Sequence, residues 1–177
     1  VLAGNPNVGK SVIFTQLSGV YAISSNYPGT TVDYSKSTVR KNDTWFELID
    51  APGIYALAAE AEAEKIAERL IEEADIVVNV VDATNLERNL FLTFELLEKR
   101  KPMVLVLNMW DEAQKRGIEI DREALEEALG VPVIPVVATT GEGIKDLIRA
   151  LDRAQIPKLI PQDHEKRWEE IGNLLSK

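Results

Sequence analysis

A three-layer α/β fold, with helices on both faces of a mostly parallel six-stranded sheet and one antiparallel edge strand, is predicted by three features of the sequence. Short apolar runs alternate with helical patterns along most of the chain, the order expected of a parallel sheet wound with helices. Two of those runs, residues 76–81 and 103–107, are almost unbroken in Val, Leu and Ile, as suits strands buried on both faces. One hairpin, residues 34–40 and 45–49 turned at Lys41-Asn42-Asp43, interrupts the alternation and supplies the antiparallel edge.

The elements follow in order. Val1-Leu2-Ala3 is a short strand leading into a glycine-rich turn, after which Val12-Ile13-Phe14-Thr15-Gln16-Leu17 carries helical spacing. Residues 18–33 have no sustained period and contain Pro28-Gly29, so they read as a long loop. Beyond the hairpin, residues 58–73 place Ile66, Leu70 and Ile71 on one helical face, and Leu90, Phe94 and Leu97 mark a second helix over 86–99. Asp121 is positioned to cap a helix through Leu129 that Gly130 ends. Residues 131–137 give the last strand despite Pro132 and Pro135, and 144–151 the last helix of the domain. Ile156-Pro157 and Ile160-Pro161 mark a linker, and residues 163–175 begin a further helix. The expected division is a domain over 1–152, then over 153–177 a linker and the start of a truncated helical domain. An opening inside a strand pattern and a charged helical ending are the expectation for a piece of a longer chain.

Composition narrows the classes. The 177 residues are enough for one full core. A net charge of −9, from 20 Lys and Arg against 29 Asp and Glu, argues against a sequence-independent grip on nucleic acid or anionic lipid. With no cysteine there is neither a disulfide framework nor a thiolate metal site. No apolar run approaches the ~20 residues that span a bilayer, and no signal peptide is recognisable.

The chemistry begins at Gly4-Asn5-Pro6-Asn7-Val8-Gly9-Lys10-Ser11, which fits the phosphate-loop pattern GxxxxGKS in a strand-loop-helix context. Its backbone N–H groups, through Val12, can cradle phosphate oxygens at a helix N-terminus. Lys10 sets a positive charge against the β and γ phosphates, and Ser11 is placed to ligate Mg²⁺. Four further motifs fall at or beside carboxyl ends of strands, where ligands lie in such sheets. Asp50-Ala51-Pro52-Gly53 fits DxxG, an aspartate behind Mg²⁺ and a glycine N–H for the γ phosphate. Asn108-Met109-Trp110-Asp111 fits NxxD: Asp111 can accept from the ring N–H and amine of guanine, which adenine lacks, a discrimination of ~10⁴ or more. Asn108 braces the phosphate loop and the base, and Met109 gives apolar cover where lysine is commoner. In Pro28-Gly29-Thr30-Thr31-Val32-Asp33, Thr31 is the expected second hydroxyl on Mg²⁺, with Thr30 the competitor. Ala138-Thr139-Thr140-Gly141 offers the Ala138 N–H to the guanine carbonyl oxygen. Val137 there replaces a stiffening serine, so looser guanine binding is expected. The ligands read from these motifs are GTP or GDP with Mg²⁺.

Together the five motifs resemble the translation-factor-related, Ras-like GTPases of the TrmE and Era type over residues 1 to 152. More narrowly, GNPNVGKS, NYPGTTVD, DAPGIYAL, VVNVVDATNLERNLFLTFELLE and VLNMWDEAQKRGIEID are similar to the cytoplasmic G domain of the ferrous iron transport protein B (FeoB) family, with NMxD and NLERNL the specific pointers. That resemblance implies a slow GTPase on the cytoplasmic face of the membrane. Its partners would be the guanine nucleotide and the helical and membrane domains of the same chain, with no nucleic acid; homo-oligomer formation stays open. It also implies potassium activation through Asn7, because Ile54 stands where many relatives keep a water-orienting glutamine. Asn7, Lys10, Thr31 and Gly53 are then the catalytic set. The rival readings are an Era-type ribosome-assembly GTPase and a nonhydrolytic nucleotide-binding module. His164 and the alternating Glu60, Glu62 and Glu64 read as surface residues without a ligand role, the scattered Trp45, Trp110 and Trp168 give no stacking platform for single-stranded nucleic acid, and Arg88 is given no catalytic role.

Overall fold

The computed structural model describes residues 1–19, 23–57, 61–158, 166, 169 and 171–173. The expected helix over 163–175, with His164 and Trp168, therefore lies largely outside the described residues, as do Glu60 and the first residues of the 58–73 helix. In order the elements are β1 Leu2–Gly4, α1 Lys10–Ser18, β2 Ile23–Asn26, β3 Asp33–Lys41, β4 Thr44–Asp50, α2 Glu62–Glu73, β5 Val77–Asp82 and α3 Leu86–Glu98. There follow β6 Met103–Asn108, α4 Trp110–Lys115, α5 Arg122–Leu129, β7 Val133–Pro135 and α6 Ile144–Ala150.

The strands form one sheet in the order β2-β3-β4-β1-β5-β6-β7. The α/β architecture is as expected, but the sheet has seven strands rather than six. Only β3 runs against the rest, pairing antiparallel with β2 and β4, so the edge belongs to β2 and not to the reversed strand. The extra strand lies inside the segment read as a loop. Its residues Ile23, Ser24, Ser25 and Asn26 hold one apolar side chain, itself 66% exposed, so no period-2 pattern announces it. Backbone pairing from Ile23↔Lys36 to Asn26↔Asp33 makes it a strand, which side-chain patterning cannot reveal.

Alternation along the buried strands splits the core between the two faces. Val78 and Val80 of β5, with Val104 and Val106 of β6, pack with Ile13 and Phe14 of α1 and Leu147 of α6. Val77 and Val81, with Leu105 and Leu107, pack with Leu70 and Ile71 of α2, Leu90, Phe94 and Leu97 of α3, and Leu125 and Leu129 of α5. Asp121 caps α5 as expected, its carboxylate accepting the Ala124 N–H at 2.9 Å, and the Gly130 N–H closes the far end on Glu126 O at 2.9 Å.

One polar residue interrupts β5. Asn79 is fully buried, donates to Ala3 O at 3.4 Å, and accepts the Thr93 hydroxyl at 2.7 Å. Thr93, also fully buried, thereby ties α3 to the strand beside the one that leads into the phosphate loop. Thr93→Val keeps the volume but leaves the Asn79 oxygen short of a donor, and should lower the unfolding free energy by about 1–3 kcal/mol. Urea denaturation checks this, and a midpoint equal to wild type would show that the bond contributes nothing.

Candidate functional site

The turn after β1 is shaped by what its glycines avoid. A Cβ on Gly4 would overlap the Val80 carbonyl of β5. Gly9 has φ +84°, and a Cβ there would overlap the Asn108 Nδ2, so both positions need a residue without a side chain. Asn7 also takes the left-handed region, with φ 66°, which asparagine tolerates better than most residues. The turn delivers the chain to the start of α1 at Lys10, and residues Asn5–Asn7 and Gly9–Val12 with Gly53 surround an open cavity of about 360 Å³.

Three side chains converge at one wall of it. The Lys10 ammonium donates to Asp50 Oδ1 and, at 2.5 Å, to Ala51 O. The Ser11 hydroxyl donates to Asp50 Oδ2 at 2.6 Å. Lys10 and Asp50 are buried, with 8% and 7% of their surfaces exposed; each charge is tolerated there because the other compensates it. The Ser11 hydroxyl and the Asp50 carboxylate bring two hard oxygen donors to one point, the donor type that suits Mg²⁺. The loop after Asp50 is held to β1 by Ala51 N–H on Leu2 O at 3.1 Å and Ile54 N–H on Gly4 O at 3.2 Å, with Gly53 against Pro6. Ile54 is buried, so its side chain faces the core.

Asn108 joins the second half of the site to the first. Its Nδ2 donates to Val8 O at 2.8 Å, and its Oδ1 accepts the Ala138 N–H at 3.1 Å. The sequence assigned that N–H to a base carbonyl, yet here Asn108 engages it. Thr139, the next residue and an exposed one, has no hydrogen-bond partner for its N–H among the described residues. The 137–141 turn is closed by Thr140 and Gly141 N–H groups on Val137 O at 3.1 and 2.9 Å, with the Thr140 hydroxyl on the same oxygen at 3.2 Å. Gln16 of α1 donates to Ala138 O at 2.9 Å. Backbone and Gln16 contacts that the sequence did not disclose thus hold the 137–141 turn.

Met109 starts α4 in the left-handed region with φ 59°, a costly conformation for a residue other than glycine, asparagine or aspartate. Asp111, two residues on, is half-buried and accepts from Lys115 at 3.0 Å. The hydrogen bond from Lys115 holds its carboxyl below the usual aspartate value, so it is a charged acceptor near neutral pH.

Gly29, Thr30 and Thr31 belong to the turn between β2 and β3 and do not line the phosphate cavity. The Thr30 hydroxyl donates to Tyr27 O at 2.9 Å and accepts the Val32 N–H at 3.2 Å. Thr31 is exposed, and no hydrogen bond of its hydroxyl is present among the described residues. Elsewhere among the described residues no group of three or more His, Cys, Asp or Glu could hold a metal ion, and no helix is long and apolar enough to cross a membrane.

A family model described as ferrous iron transport protein B matches residues 1–151. The Fe(2+) transport protein A/Fe(2+) transporter FeoB fusion protein of Porphyromonas gingivalis is 44% identical over 153 residues, 85% of this chain and 18% of its own length. The chain spans about a fifth of the length of the curated relatives it matches. Among solved structures, the cytosolic domain of L. pneumophila FeoB aligns with a TM-score of 0.86 and 39% identity, covering 92% of this chain and 66% of that one. The cytosolic domain of T. maritima FeoB in its GDP form II aligns at 0.82 and 37% identity, over 92% of this chain and 65% of that one.

Replacing Asn108 by Ala strands two buried backbone groups, Val8 O and Ala138 N–H. A loss of about 2–3 kcal/mol of folding free energy is expected from that, somewhat more than one broken bond. Guanidinium denaturation of the N108A protein measures it, and a change below about 0.5 kcal/mol would mean that water replaces both contacts.

Proposed function

The chain belongs to the ferrous iron transport protein B family, and on that premise we propose that it binds GTP and GDP and slowly hydrolyses GTP to GDP and phosphate, as the nucleotide-responsive part of a ferrous iron transporter. In this reading residues 1–152 are the GTP-binding domain at the cytoplasmic face of the membrane. Residues 153–177 are the linker and first part of a helical domain, the membrane domain of the same chain being the further partner. Family membership sets aside the Era-type reading. The observation that carries the proposal is the convergence of Lys10, Ser11 and Asp50 in a glycine-shaped turn to which Asn108 ties the NxxD segment.

The roles follow from chemistry. The N–H groups of Asn5, Asn7, Val8, Gly9, Lys10, Ser11 and Val12 cradle the phosphates, and Lys10 exchanges Asp50 and Ala51 for β and γ oxygens. Ser11 and Asp50 would hold Mg²⁺, joined by Thr31, whose hydroxyl is the better candidate because that of Thr30 is engaged within its own turn. Bound Mg²⁺ neutralises phosphate charge. Backbone groups around Thr31, Gly29 and Gly53 orient the attacking water, since Ile54 has no polar atom to do so. The water oxygen bonds to the γ phosphorus as the bridging oxygen leaves with GDP, and the water proton passes to the released phosphate. The resemblance assigns K⁺ to Asn7, an exposed residue on the cavity wall, where it would offset developing charge.

Asp111 accepts from the guanine ring N–H and amine, and Met109 covers a base face. The base carbonyl is assigned to the Thr139 N–H in place of that of Ala138, because Asn108 already takes the latter. Thr140 shapes the turn that presents it.

D111N should move preference from guanine to xanthine nucleotides by at least tenfold, its amide presenting a donor to the xanthine carbonyl; unchanged GTP affinity in that variant would refute the base assignment. Phosphate release should be faster in K⁺ than in Na⁺, with the difference lost in Asn7→Ala. Equal rates in the two salts would remove the role of Asn7, and no hydrolysis in either would leave a binding module.

A further inference from the structure

We propose that Glu95, a side chain of α3 outside the phosphate cavity, is a positioning residue for the loop that carries Gly53, acting through the backbone N–H of Leu57. The inference rests on the GTPase reading above and adds to it a residue from none of the five motifs. Glu95 is 8% exposed, and its Oε2 accepts the Leu57 N–H at 2.6 Å. A second contact from the same helix stands beside it, the Arg88 guanidinium lying 5.0 Å from the centre of the Tyr55 ring, an attractive cation–π distance.

The segment from Ala51 to Leu57 is thus held from two sides. Toward the phosphate loop it donates through Ala51 and Ile54 to Leu2 and Gly4. Toward α3 it is held by Glu95 and Arg88, with the side chains of Ile54 and Leu57 buried in the core. Withdrawing the Leu57 N–H would take a donor away from a buried side-chain oxygen, which costs more than an exposed hydrogen bond would. Leu57 is therefore the point at which the segment is fixed on the α3 side. Gly53 is four residues away, at most about 14 Å of extended chain, so the position of Leu57 limits where the Gly53 N–H can stand. That N–H meets only the γ phosphate, the group by which GTP differs from GDP. Loosening the anchor acts on the triphosphate and spares the diphosphate.

The test is the affinity of a fluorescent GDP and of a non-hydrolysable imido analogue of GTP for the 177-residue chain and its Glu95 variants. Glu95→Leu should weaken the triphosphate analogue about tenfold while GDP affinity stays within about twofold. Glu95→Gln keeps an acceptor oxygen at the same reach and should restore most of the loss. Glu95→Asp, which withdraws the carboxylate by one methylene, should shift the ratio in the same direction and decides the matter if the leucine variant does not fold. An unchanged ratio, a parallel fall for both nucleotides, or a loss that glutamine fails to restore would each overturn the role of Glu95. Failure of the wild-type chain to bind either nucleotide would instead overturn the GTPase reading itself.

Discussion

One carboxamide holds together two loops that no strand pairing joins. The phosphate loop follows β1, and Asn108 ends β6, with β5 between them in the sheet. From that end Asn108 reaches past β5 to the Val8 carbonyl, and its other atom receives the Ala138 N–H from the loop after β7. Three separated pieces of chain thereby share one rigid group. The arrangement also explains the severity of the demand at Gly9, whose missing side chain is the space that the Asn108 amide occupies. The turn after β1, the NxxD segment and the loop after β7 are consequently parts of one packed unit.

The second constraint is charge. Lys10 and Asp50 sit together with little access to water, where an ion pair often adds less stability than well-packed apolar groups would. Retaining both makes sense if each is wanted by something else. In the proposed function an entering polyanion would draw the ammonium away from Asp50 and leave a buried carboxylate needing a cation, so anion and divalent metal would be favoured together. Ser11, hydrogen-bonded to the same carboxylate, would stand where that exchange takes place.

The parts of the molecule that were legible in the sequence are those where one residue type has one physical reason to be present. GxxxxGKS, DxxG and NxxD fix glycines, a lysine and carboxylates at set spacings, and the runs at β5 and β6 announce strands buried on both faces. Where backbone groups decide, the letters were silent. β2 is made by pairing with β3 and has no side-chain pattern; the Ala138 N–H reads as available until Asn108 is seen to take it; and the turn that carries Thr31 closes on itself through Thr30, away from the cavity. No motif marks Glu95, because its acceptor function depends on a loop 38 residues earlier.

The reversed β3 gives the sheet two kinds of connection. From β2 to β4 every pairing is local, Asn26 with Asp33 and Lys41 with Thr44 across short turns, whereas β1 meets β4 at Leu2↔Asp50 and β5 at Leu2↔Val78. Loop-closure entropy therefore falls chiefly on β1, whose partners lie far along the chain. The meander closes through neighbouring turns, whereas the turn behind β1 is framed by both distant partners. A molecule bound in that turn consequently reports, and by mass action reinforces, completion of the whole tertiary structure and not merely the geometry of one short loop.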